Sequence, residues 1–407
     1  MNSTASPTKK FPSRAVSGGV VAMFLAFGVG RFAYTPLLPL MHEQAGLALD
    51  VAGYLASIMY LGYLAGSIIV TRTLSRYGAF TLLRTGLIML MLGTWAMSTG
   101  NVFSFWAVIM FFIGVASAAI FLSTLSLVLG VFLEHGAGWL TAFLYAGIGL
   151  AIVLIGLAVP EIGTATGWRS AWNFVAITAA TGAILCLWLL APCRRSRGQQ
   201  LSTESAWIIK GAKRAAFFLI AAYCLHGFAY TIAGTFMVAM LGNLPGVQGH
   251  AHLGWVLVGV MVIPSCLVWP LVAARIGEVK TTAILLVLLA GSNIIVILWP
   301  SQLGVLVAAG VFGSSFLVIP GLVLGRLGRL AGSKKDEVAG FATVMFGIAM
   351  VFGPSVGGLV SRLTGSFNWA LGMASVALLL AAAMTIMAEL ATKHRREPVQ
   401  ACLEGCR

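Results

Sequence analysis

Long apolar runs separated by short polar breaks fill this chain. They fall at about 16–41, 51–71, 80–98, 103–130, 138–160, 170–191, 215–241, 253–274, 281–299, 303–325, 338–360 and 369–390. A bilayer core of ~30 Å needs roughly 20 helical residues, and each run comes close to that length or exceeds it. The pattern predicts an all-α membrane protein of twelve transmembrane helices with short loops. Prolines inside the runs, at Pro36, Pro39, Pro264, Pro270, Pro320 and Pro354, predict bends near a cavity or gate. The first run follows Lys9, Lys10 and Arg14 and is too long for a signal-peptide core, so it is expected to stay as a helix.

Composition agrees. Of the 407 residues, 59% are hydrophobic and 9% charged, and the mean hydropathy is +0.98. A net charge of +14 would suit nucleic acid if it were spread over a soluble surface. Here 22 of the 25 Lys and Arg residues lie in the tails or in segments on the same side of the predicted spans. On the opposite side there are Arg169 and Arg362; Arg31 alone lies deep inside a span. That asymmetry is the positive-inside pattern. It predicts cytoplasmic termini, a lipid bilayer as the partner surface and no nucleic-acid role.

The spans repeat. Phe32-Ala33-Tyr34-Thr35 recurs 196 residues later as Phe228-Ala229-Tyr230-Thr231. Arg76-Tyr77-Gly78 has its counterpart in Arg275-Ile276-Gly277, Leu127–Gly130 in Leu322–Gly325, Gly147-Ile148 in Gly347-Ile348, and Thr166-Gly167 in Thr364-Gly365. The offsets lie between 195 and 200, and the order is kept. A transporter built from two homologous halves leaves this trace. The expected division is 1–193 for the first six-helix half, 194–214 for a polar cytoplasmic linker, 215–390 for the second half and 391–407 for a cytoplasmic tail.

Two six-helix halves, a basic central loop and an Arg-x-Gly turn after spans two and eight together resemble the major facilitator superfamily. At finer grain, the stretch Gly30-Arg31-Phe32-Ala33-Tyr34-Thr35-Pro36-Leu37-Leu38-Pro39 is similar to the bacterial YbfB/YjiJ-like branch. Tyr145–Ala151 and Pro264-Ser265 with Trp269 and Arg275 are similar to it as well. The resemblance implies a secondary transporter in the bacterial inner (plasma) membrane, with Arg76, Gly78, Gly147, Gly149, Arg275, Gly277, Gly353 and Pro354 in gating or packing roles. It departs from the superfamily at Ser75, where an acidic residue usually precedes Arg-x-Gly. The Gly-Pro-x-x-Gly-Gly pattern of many drug–proton antiporters is missing from span five and occurs in span eleven, at Gly353–Gly358. There it reads as a packing surface.

Chemistry inside the membrane narrows to a few residues. Arg31 lies roughly 20 Å into its span at 1.5 Å per residue, where a charge costs about 2.5–3.5 kcal/mol even on the lenient scale. Every Asp and Glu falls in a loop, in a tail or at a span end, so no mid-membrane carboxylate offsets that cost. Arg31 either meets an anionic substrate in a central cavity, or caps carbonyls freed by Pro36 and Pro39, or snorkels outward. Tyr34 and Thr35, at i+3 and i+4, are expected on its face. In span seven Tyr223, His226 and Tyr230 share a face, with His226 one position before Gly227, the repeat mate of Arg31. His226 is a candidate proton carrier or a hydrogen-bonding core residue. Tyr60, Ser117, Thr124, Tyr145, Asn173, Asn293 and Ser314 could line a cavity or bond their own backbone. Trp168, Trp172, Trp255 and Trp299 read as interfacial anchors. His250 and His252, or Cys402 and Cys406, fall short of a metal site, and neither a cofactor motif nor a nucleotide loop is present.

The expected function is secondary transport of a small, anionic organic solute by alternating access, with protons as a possible coupling ion. The protein is expected to act as a monomer and not as an enzyme. A drug or hydrophobic-cation efflux pump is the main alternative, which embedded carboxylates would favour; a membrane sensor or scaffold is the other.

Overall fold

The computed structural model describes residues 12–137, 140–195, 213–242 and 251–393. Among these, twelve helices are long and apolar enough to span a bilayer. In the first half they are α1 (Ser13–Ala45), α2 (Leu49–Tyr77), α3 (Ala79–Met97), α4 (Phe103–Glu134), α5 (Thr141–Thr166) and α6 (Trp168–Cys193). In the second they are α7 (Lys213–Gly242), α8 (Ala251–Ile276), α9 (Glu278–Leu298), α10 (Gln302–Ala331), α11 (Glu337–Thr364) and α12 (Phe367–Thr392). Twelve alternating crossings put the start of α1 and the end of α12 on one side, the terminal face; the other side is the far face. The expected linker lies mostly outside the described residues, as do His250, Cys402 and Cys406.

Several helices outrun their apolar stretches. α2 continues through Arg72–Tyr77, because backbone hydrogen bonding continues at the interface while long polar side chains reach water. It stops at Gly78, whose φ of 77° suits glycine; α8 stops the same way at Gly277, with φ 94°. These are the two Arg-x-Gly turns, and Arg76 and Arg275 lie exposed beside them.

The duplication is visible in the packing. Within the first half α2 packs on α4, α3 on α4 and α6, and α1 on α5 and α6. The second half repeats each pairing six helices on: α8 on α10, α9 on α10 and α12, α7 on α11 and α12. The halves meet where α2 packs on α11 and α5 on α8, two contacts that the same operation exchanges. Lipid offers no hydrophobic drive for such contacts, so close backbone approach supplies it. Gly149 of α5 faces the Gly259 backbone of α8, and a Cβ at Gly53 of α2 would run into the Pro354 carbonyl of α11. Gly147 likewise lets α5 approach Val20 of α1, and Gly353 lets α11 approach Phe228 and Thr231 of α7. Large apolar side chains such as Ile69, Leu92, Ile184 and Leu298 point outward, as lipid-facing surfaces require.

One expectation fails here. Trp168, Trp172 and Trp255 are buried, at 4%, 2% and 0% exposure, and do not face the headgroups. Trp172 donates to the Met41 sulfur (3.4 Å), Trp168 packs edge-on against Trp106, and Trp255 against Phe32. Their positions near span ends suggested anchors, but helix rotation turns these rings inward. Trp299 is half exposed.

Candidate substrate cavity

Arg31 sits where α1 departs from regular α-helix. Residues Phe24–Phe32 form a π-helix, continued by Ala33 N donating to Gly28 O at 2.8 Å. Pro36, one turn on, cannot donate to the Phe32 carbonyl, and wider turns of this kind absorb such a mismatch. Gly28 and Gly30 keep the segment tight against Ala151 of α5 and Ser117 of α4.

Helical side chains lean toward the N-terminus, so the Arg31 side chain reaches toward the terminal face. It is 6% exposed, with its guanidinium carbon 3.6 Å from the Tyr63 ring centroid, 4.8 Å from Phe27 and 5.4 Å from Tyr60. These rings offset part of the charge. Nε and Nη2 nevertheless have no hydrogen-bond partner.

Arg31 lines a cavity of about 440 Å³ between the halves. Its walls come from the terminal-side and middle parts of α1, α2, α4, α5, α7, α8, α10 and α11. Among the described residues that line it, Arg31 is the one permanent cation and there is no carboxylate. Tyr223, His226 and Tyr230, at spacings that share one helix face, form its α7 wall, and Tyr145 also lines it. His226 is 1% exposed. Neither of its nitrogens has a partner at hydrogen-bond geometry, although the Phe316 backbone lies close by.

The predicted partners on α1 lie elsewhere. The Tyr34 hydroxyl donates to the Ala52 carbonyl of α2 (3.1 Å) and the Thr35 hydroxyl to the Gly234 carbonyl of α7 (2.7 Å). Both are buried and neither lines the cavity. Arg31 reaches back by several ångströms whereas a threonine cannot, and the π-helix shifts the register that i+3 and i+4 spacing assumes. Thr35 is thus a pin between the halves on the far side. Ser57 and Ser355 add a second, with hydroxyls 2.7 Å apart. The Arg362–Asp50 ion pair, at 2.6 Å, adds a third. The far side is closed by these contacts, and the cavity lies on the terminal side of them.

Sequence reasoning overlooked Tyr63, Phe27, Phe316 and Phe346 as cavity residues, since an aromatic residue in a span reads as lipid-facing or core. A signal existed for Tyr63, three residues after Tyr60 and so on the same face. Of the other polar candidates, Ser117 and Ser314 bond their own helix, Asn293 is buried away from this cavity, and Pro270 and Pro320 line it. Near Pro320, α10 breaks at residues 316–318, and there the Ser314 carbonyl accepts from the Trp269 indole at 2.7 Å.

Twelve spanning helices in two pseudo-symmetric halves, closed on one side of a central cavity, define a membrane transporter of the major-facilitator type. The chain matches the family described as "Uncharacterised MFS-type transporter YbfB" over residues 23–386 and belongs to it. Among curated proteins, none matches the chain.

Proposed function

We propose that this transporter carries a small organic anion across the bacterial inner membrane by alternating access, with its terminal face in the cytoplasm and Arg31 as the anchor for the anionic group. One observation carries the reading: a buried arginine lines the cavity, two of its guanidinium nitrogens are unpartnered, and there is no carboxylate among the lining residues. Nε and Nη2 share one edge of the guanidinium, the edge that offers two parallel N–H bonds to a carboxylate. Bound cargo supplies the counter-charge that the protein lacks. The same lack of carboxylates argues against cationic drugs as cargo. The positive-inside pattern supports the orientation, and the α2–α11 and α5–α8 contacts, related by the pseudo-two-fold, support alternating access by rocking of one half on the other.

A thermal-shift screen of purified wild type and Arg31→Ala tests this. Carboxylates at a hundred times Kd are expected to stabilise wild type by about 2.7 kcal/mol and to leave the variant unmoved. Stabilisation of both proteins by cations, and of neither by carboxylates, overturns the reading.

A further inference from the structure

The wall facing Arg31 has a geometry of its own. Tyr223 and Phe346 stack at 4.0 Å between centroids with 9° between planes. His226 lies 5.1 Å from Tyr230 at 19° and 5.9 Å from Phe346 at 16°. Tyr230 lies 6.1 Å from Phe346 at 9°, and 5.9 Å from Phe316 at 25°. Five rings from α7, α10 and α11 thus share one orientation within the cavity lining. Independent core rings favour edge-to-face contacts at least as much as parallel ones, and away from this cavity such contacts occur at Trp106–Trp168 with 87° and Phe111–Phe112 with 83°.

The wall depends on the missing cation of the second half. Gly227, the repeat mate of Arg31, lies under Phe346, and a Cβ there would fall 2.7 Å from the ring. Where the first half places a guanidinium on α1, the second half leaves α7 bare and lays a flat ring over it. The result is one charged corner and one stack of near-parallel rings.

Resting on the reading of Arg31 as an anion anchor, we propose that the substrate is an aromatic monocarboxylate, its carboxylate on Nε and Nη2 of Arg31 and its ring adding to the Tyr223–Phe346–His226–Tyr230 stack. Each part of that description answers a feature of the lining. A single cation balances a single negative charge; a dicarboxylate would bring a second charge into the cavity without a partner. An amino acid would leave its ammonium without a carboxylate. A planar ring gains offset stacking on parallel faces, while a saturated ring of like size gains burial alone. The volume of about 440 Å³ lies within the range of small-ligand sites.

Binding to the purified full-length protein, by calorimetry, tests this with benzoate, 2-naphthoate, cyclohexanecarboxylate, phthalate, phenylalanine and benzyl alcohol. Benzoate and 2-naphthoate are expected to bind about three- to tenfold more tightly than cyclohexanecarboxylate, with phthalate and phenylalanine weaker still. Gly227→Ala, which displaces Phe346, and the milder Phe346→Leu are each expected to erase that preference while cyclohexanecarboxylate still binds. Arg31→Ala is expected to lose all the carboxylates. Equal affinity for benzoate and cyclohexanecarboxylate, a preference that survives Phe346→Leu, or no binding of any acid overturns the aromatic proposal. If carboxylates bind without ring preference and need Arg31, the anion reading stands alone. If benzyl alcohol binds as well as benzoate, and equally to Arg31→Ala, the anion reading falls too.

Discussion

At the scale of the residue, Arg31 is a local conflict. Its charge opposes the solvent around its helix, and Tyr63, Phe27 and Tyr60 offset only part of the cost. Replacing a buried ion pair by apolar residues of similar volume is often neutral or stabilising by about 1–4 kcal/mol, and among the described residues Arg31 is in no ion pair whose loss would count against the change. Arg31→Met is therefore expected to leave the substrate-free protein at least as stable as wild type, read as the midpoint of thermal unfolding in detergent. Carboxylate binding is expected to vanish in the same variant. A clear drop in that midpoint would mean that the guanidinium holds the helices together, and would make Arg31 a structural post and not the proposed anion anchor. The arginine itself was legible in the sequence because a lone charge in an apolar run needs a reason. The rings around it were not, since nothing in a list of aromatic residues says which of them face inward.

At the scale of the element, α1 does two jobs at two heights. Its π-helical middle presents Arg31 to the cavity, and four residues on Thr35 ties it to the Gly234 carbonyl of α7. Hydrogen bonds between membrane helices average about 0.6 kcal/mol, close to a threefold change in an equilibrium. Thr35→Val should thus shift the protein modestly toward a state open on the far side. Spin labels on the far ends of α1 and α7 are expected to show a larger population of long distances. An unchanged distribution would make the bond incidental to closure. Spacing rules placed Tyr34 and Thr35 beside Arg31 because they assume 3.6 residues per turn throughout. The prolines at 36 and 39 were visible, and a bend was expected from them; the π-helix that precedes them was not.

At the scale of the whole molecule, the six-helix repeat turns a set of weak contacts into a device with two sides. The α2–α11 and α5–α8 contacts are mates under the pseudo-two-fold, so rocking about them can close one side as it opens the other. His226 lies near the centre of this arrangement, buried and without a well-formed hydrogen bond. If it carries the coupling proton, His226→Gln in proteoliposomes should still bind substrate but no longer accumulate it when a proton gradient is imposed. Undiminished accumulation would remove His226 from coupling and leave it as part of the ring wall.

The sequence by itself determined the class, the number of helices, the duplication and the isolation of Arg31. Each of these rests on a property that one chain carries locally: run length against bilayer thickness, similarity at a fixed offset, and the cost of charge in hydrocarbon. The tertiary structure alone decided which faces turn inward. It buried Trp172 and Trp255, sent Thr35 to a helix junction, paired Asp50 with Arg362 across 312 residues, and aligned Tyr223, His226, Tyr230, Phe316 and Phe346 as one wall. In a membrane the outward and inward faces of a helix are both apolar, so hydrophobic pattern cannot tell them apart. Only close packing between helices does that.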